Sequence, residues 1–415
     1  MCSPPRGAPL QLDVGYISAS SGVCAFWTIM LKSLKIYNYR SCVDTAIDDI
    51  GAMLVLIGRN GAGKSNILKA IEWVASSTYK RPSELVLFTG TLQFPNVEVD
   101  FTLGDRILRY RAGVEWFPQQ KSATFRVNQF LSEVLPNGHV RQIFALENGE
   151  LATSRSSVPV SVGPEANAFT SIPSLFPDFS EAYTLEFANK FLARVKYYPL
   201  DTPSQGALIV SKAQYDGWLG GKRELEIPEV IFQLIYLKNQ RPEKFYELIQ
   251  LLGENGLNII TNIDIQEVSS HPEGAPSPAT EFFVPHFVPV AAPSKLFNFR
   301  DLSHGTRRTT SLLTAMMFDE ANVSLIEQPE DGIHAALLNK LFPLLRRYSE
   351  HGQYFVATHS ALVLNAVLPS ELRFISMANA VTQAHALSAD HLNVAVDYLE
   401  QEGPLADFVW MMEGD

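Results

Sequence analysis

The spacing of apolar positions changes several times along the chain, and each change marks an element. Leu31-Lys-Ser-Leu-Lys-Ile-Tyr37 alternates, so residues 31–57 predict two strands joined by a turn. The second of these ends in the unbroken apolar run Met53–Ile57. Helical spacing then takes over at Ile67, Leu68, Ile71, Val74 and Ala75, which predicts a helix over 64–76. Pro95–Leu103 and Ile107–Val114 predict a hairpin about a Gly104-Asp105 turn. Strand-like pieces follow around Ala123–Val127 and Gln142–Leu146, with a turn at Asn148-Gly149. Phe179–Val195 and Pro228–Leu252 carry helical patterns, with a short strand at Tyr197–Leu200 between them. Segment 270–295, rich in Pro and Ala, reads as an irregular connection or an edge strand. From 296 the pattern predicts a helix from Leu302 to about Phe318 and a buried strand at Val323–Ile326. A helix over Ile333–Arg347, with Leu337, Leu341, Leu344 and Leu345 on one face, and a strand at Gln353–Ala357 complete the pattern.

Strand–helix alternation at both ends predicts an α/β fold with functional loops at the C-terminal ends of parallel strands. The expected division is an N-terminal part of a head domain over 30–155, an inserted mainly helical lobe over 156–295, and a C-terminal part over 296–415. No heptad repeat is sustained, so the insertion is not a coiled-coil arm. Residues 1–29, rich in Ser, Gly and Pro, are expected to be a disordered or non-native extension, with the ordered domain starting at Met30.

Composition removes several classes. A net charge of −11 argues against a wholly electrostatic nucleic-acid binder, although Arg106, Arg109, Arg111, Arg307, Arg308, Arg346 and Arg347 could form a local basic patch. Cys2, Cys24 and Cys42 lack metal-ligand spacing and suit a reducing, cytoplasmic setting. No apolar run approaches the ~20 residues of a membrane span, so no membrane partner is expected.

The chemistry lies between the strand ending at Ile57 and the helix beginning at Lys64. Gly58-Arg-Asn-Gly-Ala-Gly-Lys-Ser65 fits G-x-x-x-x-G-K-[ST]. Such a loop curls backbone N–H groups around a phosphate at a helix N-terminus. Asn60, Gly61, Ala62, Gly63, Lys64, Ser65 and Asn66 are therefore the expected nucleotide ligands, with Lys64 on the β- and γ-phosphates and Ser65 on Mg²⁺. The same chemistry needs an acidic residue at the end of a second buried strand. Glu327, after Val-Ser-Leu-Ile, has that flank, so Ser65 and Glu327 are the expected metal ligands of an ATP–Mg²⁺ site. Gln328 follows, where a general base for the attacking water would stand; an amide orients water but cannot take its proton.

With Ile36-Tyr-Asn-Tyr-Arg-Ser41, Leu302-Ser-His-Gly-Thr306, Ile326-Glu-Gln-Pro-Glu-Asp-Gly-Ile-His334 and Thr358-His-Ser360, these residues resemble the RecF/SMC-like ABC-type ATPases. Within that group the chain is similar to the small AAA-family ATPases related to the ATPase domain of OLD nucleases. The resemblance covers roughly 31–110 and 296–365. It implies an ABC-type P-loop NTPase, a mixed sheet flanked by helices with an inserted mainly helical lobe. It also implies a homodimer whose heads close on two nucleotides. Ser303 and Gly305 of one head would then touch the γ-phosphate held by the other, and His359 would act as the switch residue. Ser303 also reads as a helix cap. His334 reads as structural, and Arg40 is left between the nucleotide and an ion pair. Gln119 and Gln120 are placed too late for a glutamine loop. Only 56 residues follow His359, too few for the added nuclease domain of OLD enzymes.

The expected function is an ATPase with Glu327, Gln328, His359 and Lys64 in the catalytic roles and slow turnover because of Gln328. It would act as a conformational switch on DNA in repair or phage defence. The alternative is a nucleotide-gated scaffold for a separately encoded effector, a nuclease or toxin. A transporter ATPase fits poorly, because 238 residues separate Ser65 from Ser303.

Overall fold

The computed structural model describes residues 29–89, 94–118, 123–163, 165–199, 209–222, 227–270, 280–349, 352–401 and 403–408. Gln119, Gln120, most of the expected N-terminal extension and residues 271–279 lie outside them. Two compact units emerge, the larger from Ala25–Pro199, Ala321–Pro329 and Phe342–Asp415, the smaller from Leu200–Glu320 and Glu330–Leu341.

The larger unit opens with β1 (Leu31–Tyr39), β2 (Cys42–Ile47), β3 (Met53–Ile57), α1 (Lys64–Ser76) and α2 (Pro82–Thr89). Next come β4 (Asn96–Leu103), β5 (Arg106–Pro118), β6 (Ala123–Val134), β7 (Val140–Glu147), β8 (Glu150–Thr153) and β9 (Ser156–Ser161). The helices α3 (Ala168–Leu175) and α4 (Ala182–Ala193) lead to β10 (Val195–Tyr198). The smaller unit holds β11 (Val210–Ser211), α5 (Lys212–Leu219), α6 (Glu229–Gln240), α7 (Pro242–Leu252), β12 (Ile260–Ser270), β13 (Thr280–Pro289) and α8 (His304–Asp319). β14 (Val323–Glu327) returns to the larger unit, and α9 (Ala335–Tyr348) begins in the smaller and ends in the larger. The chain closes with β15 (Gln353–Thr358), α10 (Ala361–Leu364), β16 (Leu372–Ala378), β17 (Val381–His385) and α11 (Ala389–Gln401).

Two sheets build the larger unit. One is antiparallel with eight strands in the order β2-β1-β4-β5-β6-β7-β8-β9; the other has six in the order β10-β14-β15-β3-β16-β17. The second is parallel except for β17. Its central strands are buried on both faces, which is why Met53–Ile57 and Tyr354–Ala357 read as unbroken apolar runs. β4 instead alternates between buried and half-buried positions, the mark of a one-sided antiparallel strand. The Asn148-Gly149 turn has φ of 54° and 80°, the doubly left-handed geometry of a tight hairpin.

Helix α1 buries Ile67, Leu68, Ile71, Trp73 and Val74 in the shared core. At its C-terminal end the Ser77 carbonyl accepts from Gln129 Nε2 (2.6 Å) and Asn167 Nδ2 (2.7 Å), so this buried helix end is satisfied by side chains. The smaller unit carries a sheet in the order β11-β13-β12 and an aromatic core in which Trp218 stacks on Phe232 at 5.4 Å.

Several expectations change. Residues 31–57 form three strands, because the hairpin β1–β2 closes on itself before β3 enters the other sheet. Residues 156–199, assigned from the sequence to the inserted lobe, belong to the larger unit: β9 extends the antiparallel sheet, Phe191 of α4 stacks on Phe101 at 5.1 Å, and β10 pairs with β14. The smaller unit mixes helices with a sheet, and residues 296–320 belong to it. Within segment 270–295, β13 is the central strand of that sheet rather than an edge. Pro242 splits the helix expected over 228–252 into α6 and α7. Several of the candidate arginines are held by acids rather than gathered in a patch: Arg106 by Glu133, Arg109 by Asp100, and Arg346 by Glu371. No described helix is long and apolar enough to cross a membrane.

Candidate nucleotide-binding site

Parallel pairing alone brings three functional strand ends together. β15 lies between β3 and β14, with Thr358 opposite Ile57 and Ala357 opposite Glu327. The loop after β3, the carboxylate ending β14 and the Thr358-His359 step after β15 therefore share one edge of the sheet. Loops at the carboxyl ends of parallel strands are where α/β folds bind ligands.

The loop Gly58–Ser65 has the geometry of an anion cradle. Gly58, Gly61 and Gly63 have φ of 155°, 82° and 104°. Gly63 is also the N-cap of α1; no side chain caps that helix, and no acidic residue occupies its first turn. The positive end of the helix dipole and its orphan N–H groups are left to an external anion. Asn60 and Gly61 are exposed at the loop crest, and Ala62 is buried beneath it. Lys64 is only 5% exposed, and its Nζ donates to the carbonyls of Gly58 (2.6 Å) and Arg59 (3.0 Å). The ammonium thus lies folded inside the loop it would serve.

Ser65 Oγ donates to Glu327 Oε1, and Tyr197 OH donates to Glu327 Oε2. A hydroxyl and a carboxylate in contact at a phosphate loop form the all-oxygen donor set that Mg²⁺ takes, so the residues present fit that ion. Gln328 follows in the left-handed region, φ 45°, with its N–H bonded to the Ala357 carbonyl (2.8 Å). That turn takes the chain off the sheet directly after Glu327. His359 is exposed just beyond β15, and Ser360 N donates to Thr358 Oγ1 (3.0 Å).

The loop is braced from behind by side chains from the β1–β2 turn, from β17 and from the start of α1. Thr382 of β17 donates from Oγ1 to the Ala62 carbonyl (3.1 Å) and pairs with Ser41 Oγ at 2.7 Å. Ser41 Oγ in turn accepts from Asn66 Nδ2 (2.8 Å), and Asn66 Oδ1 accepts from Arg40 (3.4 Å). Arg40 also lies over the Tyr39 ring, 5.6 Å from its centroid. Asn66, expected among the nucleotide ligands, has its side chain committed to this brace. Tyr197 and Thr382 escaped sequence reading, and Ser41 was read only as the end of the Ile36–Ser41 motif. Ser41 and Thr382 are 341 positions apart, and nothing local marks their contact.

Ser303 and Gly305 lie in the smaller unit. Ser303 caps α8 by accepting from Thr306 N at 3.2 Å, as its sequence position predicts. A Cβ on Gly305 would come within 2.6 Å of the Gly332 carbonyl, so this helix start needs glycine to approach the Gly332 turn. His334 caps α9, its Nδ1 accepting from Ala336 N at 3.2 Å, which agrees with a structural role.

The family described as "AAA domain, putative AbiEii toxin, Type IV TA system" matches residues 53–365. The Old nuclease of Escherichia phage P2 is 23% identical over 386 residues, 82% of this chain and 58% of that protein. The DNA replication and repair protein RecF of Rickettsia massiliae is 25% identical over 193 residues, 46% of this chain and 49% of its own. The chain thus spans about half the length of the curated relatives it matches. A crystal structure of the SmcHead bound to the C-winged helix domain of ScpA covers 87% of this chain and 98% of its own, at 15% identity and a TM-score of 0.47.

Proposed function

Because the chain belongs to the AAA-domain family matched over residues 53–365, we propose that it is an ATP-binding, slowly hydrolysing ABC-type ATPase that dimerises around ATP. The RecF/SMC-like resemblance read from the sequence agrees with the family and with the Old nuclease and RecF matches. One observation carries the reading: Ser65 of the phosphate loop touches Glu327 across the edge where β3, β15 and β14 end side by side.

In this reading each site residue has a role. Backbone N–H groups of residues 60–66 and the start of α1 receive the phosphates, and Lys64 turns from its own loop carbonyls to phosphate oxygens. Ser65 and Glu327 would hold Mg²⁺, which would supply positive charge beside the phosphates. Gln328 orients water through its amide oxygen but cannot accept the proton, so hydrolysis is slow and the ATP-bound state long-lived. His359, beside the same edge, senses the γ-phosphate. Ser303 and Gly305 complete the partner's nucleotide site in the closed dimer.

This clamp acts on DNA in the cytoplasm, in repair or phage defence. The DNA replication and repair role in RecF's name and the Old nuclease match support that assignment. Gln328 favours a second reading, a nucleotide-gated scaffold for a separately encoded nuclease or toxin, because holding ATP then matters more than cutting it. Phosphate release and light scattering with and without ATP and double-stranded DNA test both. The switch reading expects an ATP-dependent doubling of mass and a Gln328→Glu variant with faster turnover. Turnover of tens per second by the wild type refutes the clamp. DNA-stimulated hydrolysis with steep salt dependence favours the DNA switch over the scaffold.

A further inference from the structure

We propose that Tyr197 is a positioning residue for Glu327: its hydroxyl holds one carboxylate oxygen so that the other stays aimed at Ser65. The proposal rests on the reading of Ser65 and Glu327 as the Mg²⁺ ligands. P-loop NTPases of this kind commonly place aspartate at the end of the second strand. Glutamate at 327 carries an extra methylene and therefore an extra torsion to be ordered before it can ligate. The structure supplies the ordering device on the neighbouring strand.

β10 runs parallel to β14 with Tyr197 opposite Leu325, so Tyr197 shares a face with Leu325 and Glu327 and reaches the carboxylate diagonally. Tyr197 OH donates to Oε2 while Ser65 Oγ donates to Oε1, so each carboxylate oxygen has its own partner. The ring has a second partner. Lys69 Nζ stands 5.6 Å from its centroid, a cation–π contact. Lys69 is one helical turn after Ser65 on the same face of α1. Ser65, Glu327, Tyr197 and Lys69 therefore form a closed ring of contacts joining the phosphate-loop helix to the strand that carries the carboxylate. A phenol suits this place: it donates a single hydrogen bond, whereas the ammonium of a lysine would compete with the metal for the carboxylate.

The test is a titration of Mg²⁺ against a fluorescent ATP analogue bound to the full chain, beginning in EDTA. Tyr197→Phe keeps the ring and loses the donor. Its nucleotide affinity in EDTA is expected to stay within about twofold of wild type, while the Mg²⁺ midpoint rises about tenfold, the usual cost of losing a group that orients a metal ligand. Placed on Glu327→Asp, whose shorter carboxylate falls away from the phenol, the same change is expected to shift the midpoint by less than about twofold. Glu327→Gln separates the two layers of the argument. If that variant keeps the full Mg²⁺ response, the metal-ligand reading fails and the positioning role with it. If it loses the response while Tyr197→Phe titrates like wild type, only the positioning role fails. A Tyr197→Phe chain that no longer binds nucleotide in EDTA, or that keeps its tenfold shift on Glu327→Asp, also overturns the proposal.

Discussion

Alanine at each glycine of the phosphate loop gives a graded test, because the three positions differ in what a Cβ would meet. At Gly61 nothing lies within 4 Å, so the only cost of Gly61→Ala is the left-handed backbone at φ 82°. That strain is worth about 1–2 kcal/mol. At Gly63 the backbone is also left-handed, and a Cβ would sit 1.9 Å from Thr382 Oγ1 and 2.8 Å from Thr382 Cγ2. Turning Thr382 aside releases the Ala62 carbonyl and Ser41 Oγ and still leaves Thr382 Cβ at 2.9 Å. Overpacking of this kind costs about 1–3 kcal/mol. Added to the backbone strain, it puts Gly63→Ala at about 2–5 kcal/mol. At Gly58 the obstacle is backbone: a Cβ would lie 2.0 Å from the Ile375 carbonyl oxygen on the neighbouring strand β16. No side-chain rotation relieves it, so β16 must move from β3, a change in the class above about 4 kcal/mol.

Urea unfolding of the nucleotide-free chain, followed by intrinsic fluorescence, measures the series without reference to activity. The expected order of damage is Gly61→Ala, then Gly63→Ala, then Gly58→Ala. Nucleotide binding is expected to run differently: Gly61→Ala weakens it despite its mild effect on folding, since the proposed function has the backbone meet phosphate at the exposed crest. Equal destabilisation at all three positions, or a greater loss at Gly61 than at Gly58, would refute the reasoning.

Other outcomes are open to direct measurement. Lys64→Ala is expected to abolish ATP binding in calorimetry. Ser303→Arg is expected to leave the monomer folded, by circular dichroism, and to block the ATP-dependent rise in mass in light scattering. Burial pushes the Cys42 thiol up to about 11, against the opposing hydrogen bonds from Thr45, Thr382 and Ser41. The folded pKa lies above the ordinary thiol value, so this contribution to stability is complete below that value and is lost as pH rises through about 11. Mass-spectrometric mapping after iodoacetamide at pH 8 is expected to find Cys42 unlabelled in the native chain and labelled in urea.

Local physics explains what could be read directly. A buried strand, a glycine-rich turn and an amphipathic helix follow one another at residues 53–76, and the structure has β3 and α1 there. β14 and β15 were legible for the same reason: strands buried on both faces have nothing to alternate with. Strands whose alternation is broken were harder. Residues 260–270 carry no helix or turn signal strong enough to compete, and β12 is held by its partner β13. Phe179–Val195 looks helical and was assigned to the inserted lobe, yet Phe191 and β10 make this stretch part of the larger unit.

By itself the sequence determined the identity of the chemical groups: a phosphate loop, a lysine, a serine, a strand-end glutamate, and a glutamine where a base would stand. Each is set by spacing within one short segment, because the loop closes over only a few bonds. Tertiary structure alone decided their company. Strand order put β15 between β3 and β14, which places Glu327 against Ser65 across 262 residues of chain. It also brought Tyr197 to the second carboxylate oxygen and Thr382 to the back of the loop. Such pairings depend on which strands share a sheet, and no local period encodes that choice.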